Sequence, residues 1–137
     1  MRLRNHQGAA AIEFAVVFPI LLLILLGIIE FSFILYDKAV ISNACREGAR
    51  AGIVQQSPRV SASQIEATVK NCSSHLINFR GGSITPTVST SNAPCTDFGD
   101  NLTVTATFHY NFFSISNFVP MLASGVDLTA QSVMKCE

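Results

Sequence analysis

The apolar positions fall into three stretches of different period. From Phe14 to Ile29 no residue carries a charge, and apolar character resumes beyond Glu30 as far as Tyr36. Ala9 to Leu35 is about 27 residues, roughly 40 Å as an α-helix, enough to cross a bilayer. The helical pattern continues through AVISNACREGARAGIV, which predicts one long helix from residue 9 to about 56. Pro19 lies inside it. Proline lacks the amide donor and crowds the carbonyl of Ala15, so a kink is expected there. Tyr36, Asp37 and Lys38 read as an interfacial boundary.

Beyond Gln56 the pattern changes. Ser57-Pro58 breaks the chain and can start a second helix, with Ser63-Gln64-Ile65-Glu66 as an alternative capping start. Ile65, Val69, Cys72, Leu76 and Phe79 then form one apolar face of an amphipathic helix that Gly81-Gly82 would end. The remainder alternates with a period of two. Ser83 to Ser91 predicts a weak strand, with Pro86 suiting an edge or a strand start. Leu102, Val104, Ala106, Phe108, Tyr110 and Phe112 alternate with polar residues in the clearest strand of the chain. Val126, Leu128, Ala130 and Met134 mark a last one. The expected fold class is α+β: a long N-terminal transmembrane helix, a second amphipathic helix, and a small three-stranded, mostly antiparallel sheet packed on that second helix. Residues 1–8 form a short polar leader, 9–56 the transmembrane and extended helix, and 57–137 an exported α+β domain.

Charge placement orients the chain. Arg2 and Arg4 precede the apolar stretch with no acid among them, so the positive-inside tendency leaves the N-terminus in the cytoplasm and sends the C-terminus across. Formal net charge is zero and there is no basic run, which argues against nucleic acid as a partner. The four cysteines, Cys45, Cys72, Cys95 and Cys136, all lie beyond the apolar core, which suits disulfides in an oxidising compartment. Four cysteines allow about three connectivities. The expected one joins Cys45 to Cys72, tying the two helices, and Cys95 to Cys136, fastening the C-terminus to the loop before the strong strand.

Two acids interrupt the apolar stretch. An ionised carboxylate at the bilayer centre costs roughly 3 kcal/mol, less near an interface. Glu13 therefore needs a partner, a proton or a shallow position. Glu30 is read as lying near the outer interface with its head reaching water. Ala44, Gly48 and Gly52 recur one turn apart and make a stripe without bulk, flanked by Arg46 and Arg50. It reads either as a seam for another helix or as a helix surface that happens to hold small residues. No catalytic motif stands out: there is no G-x-S-x-G, no phosphate loop and no HExxH. Cys72 and His75 are one turn apart but have no second ligand pair, and His6, His75 and His109 are scattered, so neither a metal nor a cofactor is expected. Asp97, Asp100 and Asp127 read as turn and strand-edge residues, and His109 as solvated. The apolar loop Phe112 to Leu122 reads as the cover of a small core.

GAAAIEFAVVFPILLLILLGIIEF at residues 8–31 and NACREGARAG at residues 43–52 together resemble the TadE-like family, pseudopilins of the tight-adherence (Tad) pilus system. The resemblance covers the N-terminal third and implies a pilin-like fold. It also implies a structural role in the inner membrane rather than an enzyme. It further implies a cut by a prepilin peptidase between Gly8 and Ala9, with Glu13 as the fifth residue of the product and Phe14 following it. Where short major pilins of this system carry tyrosine after the glutamate, this chain has Phe14, and it is longer than they are. Both points indicate a minor pseudopilin. The implied partners are the membrane, other pilin or pseudopilin subunits, the prepilin peptidase and the Tad assembly platform. The alternative is an unprocessed single-pass membrane-anchored periplasmic binding or assembly module.

Overall fold

The computed structural model describes residues 6–79, 81–113, 116 and 118–137. The first five residues of the expected leader, including Arg2 and Arg4, lie outside the described residues. Helix α1 runs unbroken from His6 to Ile53, through Pro19. Helix α2 spans Ala62–Cys72, and the sheet consists of β1 Thr87–Ser91, β2 Asn101–Tyr110 and β3 Val126–Lys135. The strands lie in the order β1-β2-β3, both pairs antiparallel. This is the expected α+β class.

Three details differ from the expectation, each for a local reason. The capping box starts earlier: Ser61 accepts the Gln64 amide while Gln64 Oε1 accepts the Ser61 amide, so α2 begins at Ala62 rather than at Ser63 or Pro58. The same helix ends at Cys72, well short of Gly81-Gly82. There Ser73 turns its hydroxyl back onto the carbonyls of Val69 and Lys70, a local bond that competes with helix continuation. Leu76 and Phe79 still reach the core, but from the segment after the helix. Finally, the sheet packs chiefly on the second half of α1. Helix α2 lies against α1 and reaches the sheet mainly at β1.

One stripe of α1 explains that arrangement. Ile41, Ala44, Cys45, Gly48, Ala49 and Gly52 are all buried and recur at helical spacing. They meet Ile65 and Val69 of α2 and the inward row Leu102, Val104, Ala106, Phe108 and Tyr110 of β2. Strand β2 runs antiparallel to α1: Leu102 lies beside Gly52, and Tyr110 lies beside Glu30. The end of the sheet nearest Glu30 is where β2 stops at Tyr110 and β3 starts at Val126. Gly125 is needed there, with φ +73° and with space for a Cβ taken by the Tyr110 carbonyl oxygen 2.6 Å away.

Candidate functional site

The first half of α1 stands free of the rest of the chain. Its most apolar window has no residue covered by the head, and it is the one helix among the described residues long and apolar enough to cross a membrane. Phe14, Val16, Val17, Ile20, Leu21, Ile24, Leu25 and Ile28 are all exposed. The processing positions fall on this bare segment. Gly8 has nothing near the place of a Cβ. Ala9 and Glu13 are exposed, and Phe14 stacks on Phe18 with ring centroids 5.3 Å apart. Glu13 makes no ion pair with any described residue. It therefore enters any apolar surroundings without a counter-charge from its own head.

Glu30 behaves in the opposite way, and here the expectation is corrected. Its side chain does not reach water: the residue is 3% exposed. Glu30 Oε1 accepts the Tyr110 hydroxyl at 3.3 Å and the backbone N–H of Phe113. The physical reason is that both donors sit at the buried end of the sheet and need an acceptor. A carboxyl oxygen can take two. Asp37 does the same two turns on. It is fully buried, and its Oδ1 accepts the Ile77 amide at 2.9 Å. Its Oδ2 has no partner among the described residues. Burial raises the Asp37 carboxyl above its ordinary range, partly offset by the Ile77 hydrogen bond. Burial, with Glu30 and Asp37 nearby, pushes the Tyr110 hydroxyl far up as well, so it stays a donor.

These polar ties are set in aromatic packing. Phe79 touches Phe33 at 5.3 Å, Phe113 at 4.9 Å and Tyr110 edge-on at 6.3 Å, and Tyr110 meets Phe112 edge-on at 5.6 Å. Further along, Lys38 donates to the Thr129 carbonyl of β3. Two segments of the head are thus each held to α1 by a carboxyl that captures a main-chain amide, Phe113 by Glu30 and Ile77 by Asp37. Sequence reasoning missed this joint. A signal existed: Glu30, Asp37, Ile41, Ala44 and Gly48 share one helical phase, so both acids lie on the stripe that buries the small residues.

The small-residue stripe is occupied within the chain. A methyl group added at Gly48 would overlap Val69 Cγ2 of α2. One at Gly52 would lie 2.5 Å from Leu102 Cδ2 and 2.7 Å from Ile65 Cδ1. Ala44 is 1% exposed. The close approach that the stripe allows is therefore made by this chain's own α2 and β2.

Cys95 and Cys136 form a disulfide, with Cα atoms 5.7 Å apart. The expected Cys45–Cys72 bridge is absent, and both thiols are free. The two side chains face apart: Cys72, the last residue of α2, is exposed, whereas Cys45 faces the sheet with Sγ 3.5 Å from the Ala130 carbonyl. Burial raises the Cys45 thiol. His109 is more than solvated: its Nδ1 lies 2.6 Å from Asp127 Oδ1, directly across the β2–β3 pair and exposed. Among the described residues no group of three or more His, Cys, Asp or Glu converges on a point. An open cleft of about 560 Å³ lies between α2 and the sheet, but its Lys70 and Glu66 pair with each other at 2.6 Å.

Residues 8–50 match the family model described as TadE-like protein. The match takes in nearly all of α1, from the bare segment through the joint to the small-residue stripe, and stops before α2 and the sheet. No curated protein and no solved structure matches the chain. The TadE-like match fits a protein associated with the Tad pilus, a structural rather than enzymatic setting, and the apolar α1 suits a single-pass membrane anchor.

Proposed function

We propose that this chain is a minor pseudopilin of a Tad-type pilus, anchored in the inner membrane with its head on the periplasmic side. Its leader is removed by a prepilin peptidase, and it acts by joining other subunits. The observation that carries this reading is the TadE-like α1, whose apolar half is left bare and holds one unpaired acid, Glu13, five residues after Gly8. Cleavage after Gly8 would free an ammonium on Ala9. A Glu13 carboxylate of a neighbouring subunit, one turn along, can neutralise it, and two charges costly alone in an apolar medium become tolerable together. Gly8 lies within α1, so a cut there requires the first turn to open. Glycine weakens that turn by about 1 kcal/mol relative to alanine.

N-terminal sequencing of the protein recovered from its native membrane tests the processing step. A chain starting at Ala9 is expected, and an intact Met1 would overturn the reading. Glu13→Gln should insert normally but fail to enter assemblies. One observation favours the unprocessed anchored module: the seam suited to close helix approach is filled by the chain's own α2 and β2. The same sequencing experiment separates the two.

A further inference from the structure

The joint at Glu30 fixes a height as well as an orientation. Ala9 to Ile29 is the part of α1 that the head leaves bare. As a helix it is about 32 Å long, against roughly 30 Å of hydrocarbon in a bilayer. With the segment filling the membrane, Glu30 lies at the outer edge of the hydrocarbon. Whatever is tied to Glu30 lies at that edge too, and Phe113 is tied to it through its backbone amide. The side chain of Phe113 nevertheless points outward, 53% exposed.

Phe31, next to Glu30 on α1, shares this level and is 60% exposed. Phe118, in the chain between the Tyr110 end of β2 and the Val126 start of β3, is 57% exposed. The first polar pair of the sheet, His109 and Asp127, comes one rung higher, where headgroups would begin. Exposed aromatic rings gathered around the exit of a membrane helix, below a polar rung, have the layout of an interfacial belt.

We propose that Phe31, Phe113 and Phe118 form a collar that seats the head on the lipid surface from which α1 emerges. The occupant of this apolar rim is the bilayer itself, because the rim is continuous with the surface that crosses it. A head held this way does not swing on a flexible stalk. It rides at fixed depth, and its extraction from the membrane must lift the collar together with the helix. The proposal rests on α1 spanning a membrane, and the test separates the two.

The chain contains no tryptophan, so each single Trp variant carries one probe. Full-length Phe31→Trp, Phe113→Trp and Phe118→Trp would be reconstituted in phosphatidylethanolamine–phosphatidylglycerol vesicles containing lipids brominated near the glycerol end of the acyl chains. Leu23→Trp reports the anchor. Phe98→Trp is the distal control, 88% exposed and placed before the far end of β2. The expected result is strong loss of emission at positions 31, 113 and 118, greater with shallow than with deep bromines. Leu23→Trp should show the reverse depth preference, and Phe98→Trp no loss. Quenching at position 23 with none at 113 and 118 overturns the collar and leaves the anchor standing. Blue-shifted but unquenched emission at 113 and 118 means that a second copy of the chain covers the rim, and also overturns it. No quenching at position 23 overturns the membrane anchor and the collar with it.

Discussion

Removing the Tyr110 hydroxyl interrogates the joint between anchor and head without opening a cavity. Tyr110 is fully buried, and its O–H meets Glu30 Oε1 at 3.3 Å. A typical hydrogen bond nets about 0.5–1.5 kcal/mol, and a carboxyl acceptor puts this one in the upper part of that range although 3.3 Å is longer than usual for O–H···O. In Tyr110→Phe the Phe113 amide keeps its acceptor and no donor is orphaned. The expected loss is about 1–1.5 kcal/mol, or roughly 4–12 °C in Tm for a head of this size. Glu30→Leu is harsher. It strands the buried Tyr110 hydroxyl, at about 1–3 kcal/mol for a buried group without a partner, and releases the part-buried Phe113 amide as well. The informative quantity is the double variant. In the Glu30→Leu background the hydroxyl is already an orphan, so Tyr110→Phe should become neutral or stabilising. Thermal unfolding of the full chain in nanodiscs, followed by near-ultraviolet circular dichroism, measures all four corners of the cycle. Any effect of leucine on membrane insertion cancels in it. If Tyr110→Phe costs the same in both backgrounds to within about 0.5 kcal/mol, the two side chains do not interact and the joint as described is wrong.

Two other perturbations test the neighbouring features. Gly48→Leu should lower the Tm of the isolated protein, since overpacking costs about 1–3 kcal/mol and Val69 already fills the space; an unchanged Tm, with only assembly impaired, would return the stripe to an intermolecular role. Burial raises Asp37 above its ordinary value of 3.8, so the folded state holds its proton where the unfolded state has lost it. Stability should therefore fall as pH rises from about 3.8 through the raised value and then level off, whereas Asp37→Asn, titrated alongside by denaturant unfolding, should lack that decline.

The sequence exposed those parts of the fold that depend on period alone. The bare half of α1 and the alternation of β2 and β3 are one-dimensional signals, and each element lies close to where its pattern puts it. What escaped depends on which face meets what. The end of α2 turned on a single hydroxyl, that of Ser73, competing for the helix's own carbonyls. Nothing in the apolar spacing of Leu76 and Phe79 reports that competition. The Cys45–Cys72 pairing failed for a separate reason: Cys72 still belongs to α2 but is exposed at its last turn, while Cys45 turns to the sheet and the Ala130 carbonyl. Glu30 was misread for a different reason. An acid near the end of an apolar run is ordinarily solvated, and its donors, Tyr110 and the Phe113 amide, lie about 80 residues away along the chain. Only its helical phase, shared with Asp37 and the small-residue stripe, placed it on the buried side.

The acids of α1 divide the chain into a part that is complete and a part that is not. Glu30 and Asp37 are buried, yet each takes an amide from the head, and Glu30 takes a hydroxyl as well. The small residues above them are filled by α2 and β2. From Glu30 onward the fold meets most of its own polar and packing demands. Below Glu30 it meets none: the surface is apolar and uncovered, and Glu13 has no counter-charge among the described residues. Lipid can satisfy the apolar surface, but it supplies no cation at the depth of a carboxylate, so an ionised Glu13 held there keeps its desolvation cost. On the processing and assembly proposed above, a second chain with a freed amine on its own α1 removes that cost without disturbing the head. On that proposal the incomplete end of the molecule is the end through which subunits join. The head, locked to α1 at Glu30 and Asp37, would follow the helix as a rigid load.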